Sequence, residues 1–164
     1  MRRIIGCGNQ DRGDDGAGIL AARRLRDLGV DAVEHCGDGT ELLDFWTGND
    51  EVILIDAMVS GQRPGTVSIW DPIRDAKAET SVYCSTHSFG PYEAIELARA
   101  LHRLPREMRI YGIEGANFEP GGGPCREVLA AVGRVVEDIA LTIAQTASDA
   151  PRDPGVAVHS LREP

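Results

Sequence analysis

The chain has 164 residues, 42% of them hydrophobic, which is enough for one domain with a full core. Its net charge of −9 argues against nucleic acid or an anionic membrane as the main partner and favours a cation or a basic protein face. No run approaches the ~20 apolar residues of a membrane span, MRRIIGCGN shows no signal peptide, and the four cysteines form no CxxC pair, so a cytoplasmic protein with free thiols is expected.

Arg3 to Gly6 reads as a strand. Ala17 to Leu28 reads as a helix, with Leu20, Ala21, Leu25 and Leu28 on one face, Asp14 or Asp15 as its cap and Gly29 as its stop. Asp31 to Cys36 is a second strand and Thr40 to Trp46 a short helix. Val52 to Ile55 is a continuous apolar run of the kind buried on both faces in a parallel sheet, and Asp56 follows it. Thr66 to Trp70 is a further strand. The link before it has only about eight residues, too few for a parallel crossover, so this strand is expected to run antiparallel to its predecessor.

Residues 71 to 88 read as loop. A helix begins near Phe89, with Pro91 in its first turn and Ala94, Ile95, Ala98 and Leu101 as its apolar face. Met108 to Ile113 is the last strand, and Gly115 to Pro124 is a Gly/Pro-rich loop. Val128, Leu129, Val132, Val135, Val136, Ile139 and Ile143 then form a helical stripe. The alternation predicts an α/β fold: a three-layer sandwich with a mixed, mostly parallel five-stranded sheet and helices on both faces. Residues 1–146 are read as a single domain and 147–164 as a mobile tail.

The stretch GCGNQDRGDDGAG, Gly6 to Gly18, carries the chemistry. It opens like a dinucleotide-binding loop, but Asp11 stands where G-x-G-x-x-G needs its third glycine, and its carboxylates would repel a pyrophosphate. A tight turn with helix caps is one reading of it, and cation binding is another. Ligands in open α/β sheets sit at the carboxyl ends of the strands, and Asp14, Asp15, Asp56 and His87 all read as close to that edge. Two carboxylates and one imidazole suit a borderline divalent metal such as zinc or nickel, with coordination positions left open. No serine sits in a G-x-S-x-G elbow and no HExxH is present, while Cys84 near His87 is read as structural rather than as a thiol nucleophile.

GCGNQDRGDDGAG, VILIDAM, STHSFG and YGIEGANFEPGGGPCREVLAAV together resemble the hydrogenase maturation proteases, over about residues 3 to 145. The resemblance implies a mixed α/β sandwich in the cytoplasm. It implies an endopeptidase that removes a C-terminal peptide from the [NiFe]-hydrogenase large-subunit precursor once nickel has been inserted. It makes Asp15, Asp56 and His87 the catalytic, metal-contacting residues, with the nickel carried by the substrate. In an alternative mechanism a metal on the protein polarises the scissile carbonyl or activates water, with Asp15 or Asp56 as base. The family's D-G-G-T block stands here as Gly37-Asp38-Gly39-Thr40, the acid displaced by one residue, and the resemblance implies a role in partner choice for Asp38 and Thr40. The glycines, Gly8 among them, are expected to let a substrate backbone approach closely. Asn9 and Glu114 stand at strand ends, where they either position the peptide or serve as cap and turn residues. A nickel-delivery module without peptidase activity and a nucleotide-binding α/β enzyme are the competing classes.

Overall fold

The computed structural model describes residues 1–36, 38–75 and 90–148. Five strands, β1 (Arg2–Cys7), β2 (Val33–His35), β3 (Glu51–Met58), β4 (Val67–Trp70) and β5 (Glu107–Glu114), form one sheet in the order β2-β1-β3-β5-β4. Three α-helices, α1 (Ala17–Asp27), α2 (Pro91–Ala100) and α3 (Arg126–Ser148), cover it, together with 3₁₀ turns at Gly13–Gly16 and Gly39–Asp44.

β1 pairs in parallel with β2 and β3, and β3 with β5, whereas β4 is antiparallel to β5. The expected direction of β4 is therefore correct, but its hydrogen-bonded neighbour is β5. The short link after β3 carries the chain past one strand position, and β5 later fills it. β3 and β5 stay paired over eight positions, from Glu51 opposite Glu107 to Met58 opposite Glu114.

The period of two along the central strands divides the core into two layers. Ile53, Ile55 and Ala57 face α1 and α3, where Ala21, Leu25, Val132 and Val135 are buried. Val52 and Leu54 face α2 and the Gly39–Asp44 turn, where Ile95, Ala98 and Leu42 are buried. Helices lie on both faces of a mixed sheet, as the alternation predicted.

Several boundaries differ from the sequence reading. Leu28 and Leu101 are 62% and 51% exposed, because each is the residue that ends its helix and has turned out of the apolar stripe. Gly29, at φ 79°, supplies the left-handed stop after α1. Asp14 and Asp15 do not cap α1: its N-cap is Gly16, and both aspartates lie in the preceding 3₁₀ turn. Asp56 does not follow β3 but lies inside it, opposite Gly112, since the strand continues to Met58. α3 runs through Ser148, and residues 149–164 of the expected tail lie outside the described residues.

α1 sits close over the carboxyl ends of β1 and β3, and Gly18 makes that contact possible. A Cβ there would lie 2.2 Å from the Cys7 carbonyl oxygen and 2.3 Å from that of Ile55. Backbone atoms on both sides leave nothing flexible to yield. Gly18→Ala is therefore expected to cost about 3 kcal/mol in urea unfolding, while Gly122→Ala, in open space, stays within about 0.5 kcal/mol.

Candidate active site

The stretch after β1 folds back on itself. Gly8 adopts φ 131°, and a Cβ on it would lie 1.9 Å from the Asp15 carbonyl oxygen. That oxygen accepts the Asn9 N–H at 3.2 Å, the Asn9 carbonyl accepts from Arg12 N–H at 3.1 Å, and the Arg12 carbonyl accepts from Asp15 N–H at 3.1 Å. Asn9 Oδ1 accepts from Asp11 N–H at 2.9 Å. Asn9 thus serves as a turn residue, and the space beside Gly8 is filled by the chain's own backbone. No cradle for a phosphate is left between these groups.

Asp14 fixes the turn to the rest of the molecule. It is fully buried, and its carboxylate accepts backbone N–H bonds from Cys125 at 2.6 Å, Ala116 at 2.8 Å and Asn117 at 2.9 Å. Backbone bonds reinforce the contact: Asp14 N–H to the Asn117 carbonyl, Gly13 N–H to that of Gly122, and Gly121 N–H to that of Asp11. Burial alone would raise the Asp14 carboxyl, but the donors from Ala116, Cys125 and Asn117 outweigh it and hold the pKa below its ordinary value. The sequence suggested a helix cap or a metal ligand here. The actual partners are backbone groups more than 100 positions away, which no local pattern announces.

Asp15, 1% exposed, then stands beside Asp56, 9% exposed. Asp56 shares its sheet face with Leu54 and α2. Burial pushes its carboxyl well above the ordinary range, and the charges of Asp15 and then Glu93 push it further. Cys7, on the same face, is raised as well, first by burial and then by Asp56. The structure thus brings together two of the three residues expected to contact metal. His87 and Cys84 lie outside the described residues. Among the described residues no group of three or more His, Cys, Asp or Glu side chains is set to hold a metal ion. Asp15, whose charge opposes the ionisation of Asp56, nonetheless forms with it a pair of oxygen donors suited to a cation.

Glu93 was not anticipated as a neighbour of Asp56. Its carboxylate accepts the Gly90 N–H at 2.9 Å, at the start of α2. The spacing Gly90-Pro91-Tyr92-Glu93 is the capping signal that reveals it.

The remaining candidates lie elsewhere on the carboxyl edge. Asp38, exposed beyond β2, is the N-cap of the Gly39–Asp44 turn and accepts the Thr40 N–H at 2.8 Å, which holds its carboxyl below the ordinary value. Glu114 is the last residue of β5 and is buried. Its oxygens accept from Ser60 Oγ at 2.7 Å, Ser60 N–H at 2.8 and 3.0 Å, Gly61 N–H at 2.9 Å and Gln62 N–H at 3.2 Å. It closes the turn after β3. A narrow apolar cavity of about 30 Å³ adjoins Asp56, between β3, β4, β5 and the start of α2.

A family model described as HycI, hydrogenase maturation protease, matches residues 20–142. The chain belongs to the hydrogenase maturation protease family. That match takes in Asp56 and the position of His87 and begins after Asp15. The hydrogenase expression/formation protein HupD of Rhizobium leguminosarum bv. viciae is 29% identical over 127 residues, which are 74% of this chain and 62% of that protein. The chain therefore spans less than two thirds of the length of this curated relative. The [NiFe] hydrogenase maturation protease HybD from Thermococcus kodakarensis superposes with a TM-score of 0.71 at 29% identity, over 87% of this chain and 98% of that one. The hydrogenase maturating endopeptidase HybD from E. coli shares the fold, with a TM-score of 0.73 at 22% identity over 88% and 93% of the two chains. Among the described residues no helix is long and apolar enough to cross a membrane.

The two aspartates should respond oppositely to neutralisation. Asp14→Asn should lower stability at neutral pH by about 2 kcal/mol, since charged hydrogen bonds are lost. Because the folded pKa of Asp14 is depressed, its contribution is present above the ordinary carboxylate value of 3.8 and fades as pH falls through the folded value, so the deficit shrinks in acid. Asp56→Asn should raise the melting temperature at pH 7. That gain should vanish as pH falls below the ordinary carboxylate value of 3.8, where wild-type Asp56 is protonated in both states.

Proposed function

We propose that this protein is a cytoplasmic endopeptidase that removes a C-terminal peptide from the nickel-loaded precursor of a [NiFe]-hydrogenase large subunit. The observation that carries the reading is the buried Asp15–Asp56 pair at the carboxyl edge of a hydrogenase maturation protease fold. Such a pair is costly by itself and is relieved by a cation. With His87 as a third contact, it would complete the shell of a nickel ion that the precursor brings.

In this reading nickel belongs to the substrate and serves as its handle. Asp15, Asp56 and His87 fix the precursor over the sheet edge, and the peptide bond cleaved is the one this register presents. Asp38 and Thr40 are exposed at the neighbouring edge, and in this reading they meet the partner's surface. The net charge of −9 suits a basic partner face.

Purified protein mixed with nickel-loaded and nickel-free precursor should shorten only the loaded form, as read by intact mass. Unchanged mass in both sinks the proposal, and nickel transfer without cleavage identifies a delivery module instead. Asp15→Asn, Asp56→Asn and His87→Ala should each abolish processing while remaining folded. Since Asp56 must lose its proton to meet a cation, and its pKa is raised, the rate should climb with pH on a limb above the ordinary carboxylate range. Metal analysis of the protein alone should find no stoichiometric nickel; tightly held metal required for cleavage would restore a resident metallopeptidase site.

A further inference from the structure

We infer that His35 is a positioning residue for partner recognition: from inside the fold it fixes the start of the turn that presents Asp38 and Thr40 to the precursor. The inference rests on the peptidase reading above, in which those two residues meet the partner's surface, and adds the group that holds them there.

Three observations carry it. The first is where the ring sits. His35 ends β2, in register with Cys7 of β1, and is 6% exposed. Its Nε2–H donates to the Asp38 carbonyl at 3.2 Å, and its ring meets that of Phe45 edge-on, with centroids 5.3 Å apart. Asp38 is the N-cap of the Gly39–Asp44 turn and Phe45 is its C-cap. One buried side chain thus spans the turn from cap to cap.

The second is what else holds this end. Asp38 and Thr40 are both exposed. Among the described residues their other hydrogen bonds stay within the turn: Thr40 N–H to Asp38 Oδ1 at 2.8 Å and Glu41 N–H to the Asp38 carbonyl at 3.0 Å. The far end has its own anchor in Arg103, whose guanidinium donates to the Leu43 carbonyl at 2.9 Å. His35 is the matching anchor at the start. An apolar residue would pack on Phe45 as well, but only a donor can hold the carbonyl, and a buried polar group without a bond is costly.

The third is the backbone of the same residue. The His35 carbonyl accepts the Gly8 N–H at 3.2 Å, at the head of the loop that leads to Asp15. That bond does not depend on the side chain. A change in the His35 side chain should therefore loosen the hold on the precursor without moving Asp15, and kinetics separates the two: lost binding raises KM and leaves kcat alone.

The test uses the full-length protein and nickel-loaded precursor. His35→Phe keeps a ring against Phe45 and removes the donor. His35→Gln removes the ring and places an amide N–H the same number of bonds from the backbone. His35→Phe should raise KM about 10-fold, the worth of one hydrogen bond, with kcat within about 2-fold of the parent. His35→Gln should return KM to within about 3-fold of the parent. In a Thr40→Ala background His35→Phe should add no more than about 2-fold, since both act on one contact. In the protein alone, the Thr40 amide should exchange about 10-fold faster in His35→Phe than in the parent or in His35→Gln. If His35→Phe does not fold, His35→Leu carries the same expectations. A KM unmoved by loss of the donor overturns the inference and leaves the peptidase reading intact. So does equal damage by His35→Phe and His35→Gln, which would make His35 a packing residue. If the parent leaves the loaded precursor uncleaved, the peptidase reading falls and this role of His35 falls with it.

Discussion

The site depends on one buried carboxylate whose partners are backbone N–H groups. Asp14 gathers three backbone N–H groups from the loop after β5. Those donors sit in a Gly/Pro-rich segment with no ladder or helix to satisfy them, and an unpaired buried N–H is costly. A single anionic side chain satisfies three of them and thereby joins the loop after β1 to the loop after β5. Loops at the carboxyl edge of an α/β sheet are ordinarily its most variable parts. Here the backbone bonds among Asp11, Gly13, Asp14, Asn117, Gly121 and Gly122 turn two such loops into one body. The next residue, Asp15, inherits that rigidity.

On this frame the fold keeps a pair that harms its own stability. Asp56 in the middle of a sheet could be an apolar residue like its neighbours Ile55 and Ala57. Instead it is buried near Asp15, and both burial and that neighbour's charge work against its ionisation. Local rules of this kind are broken at functional positions, where selection acts on activity rather than on the folded state. A raised pKa also limits the penalty, because a protonated Asp56 leaves the pair with one negative charge instead of two. Glu93, tied to the start of α2, adds a third carboxylate whose field reaches the same point.

What the sequence disclosed follows the range of each interaction. The strands, the three helices and the direction of β4 were legible, since they depend on apolar period and link length. Asp15 and Asp56 were legible as candidates because acidic residues at strand ends break the apolar pattern. The extent of β3 was not: Asp56 looks like a terminator, yet eight register pairs with β5 carry the strand through it. Gly8 illustrates the same limit. Its freedom was attributed to an approaching substrate, whereas the atom that crowds it is the Asp15 carbonyl oxygen. The partners of Asp14 and Glu114 are backbone groups far along the chain, and no side-chain pattern marks them in advance.

The strand order has a consequence for how the molecule comes into being. β3 finds β1 early in the chain, but its other edge waits for residues 107–114, and β4 cannot join the sheet until those residues are in place. Residues 107–114 must therefore leave the ribosome before the central strand loses its open edge. The donors for Asp14 arrive later still, at residues 116–125. A nascent chain shorter than this holds both aspartates but not the architecture that buries them, so the acidic pair becomes a strained one only in the last stage of folding. Long-range closure of this kind slows folding, and it withholds the site from any partner until the whole domain is present.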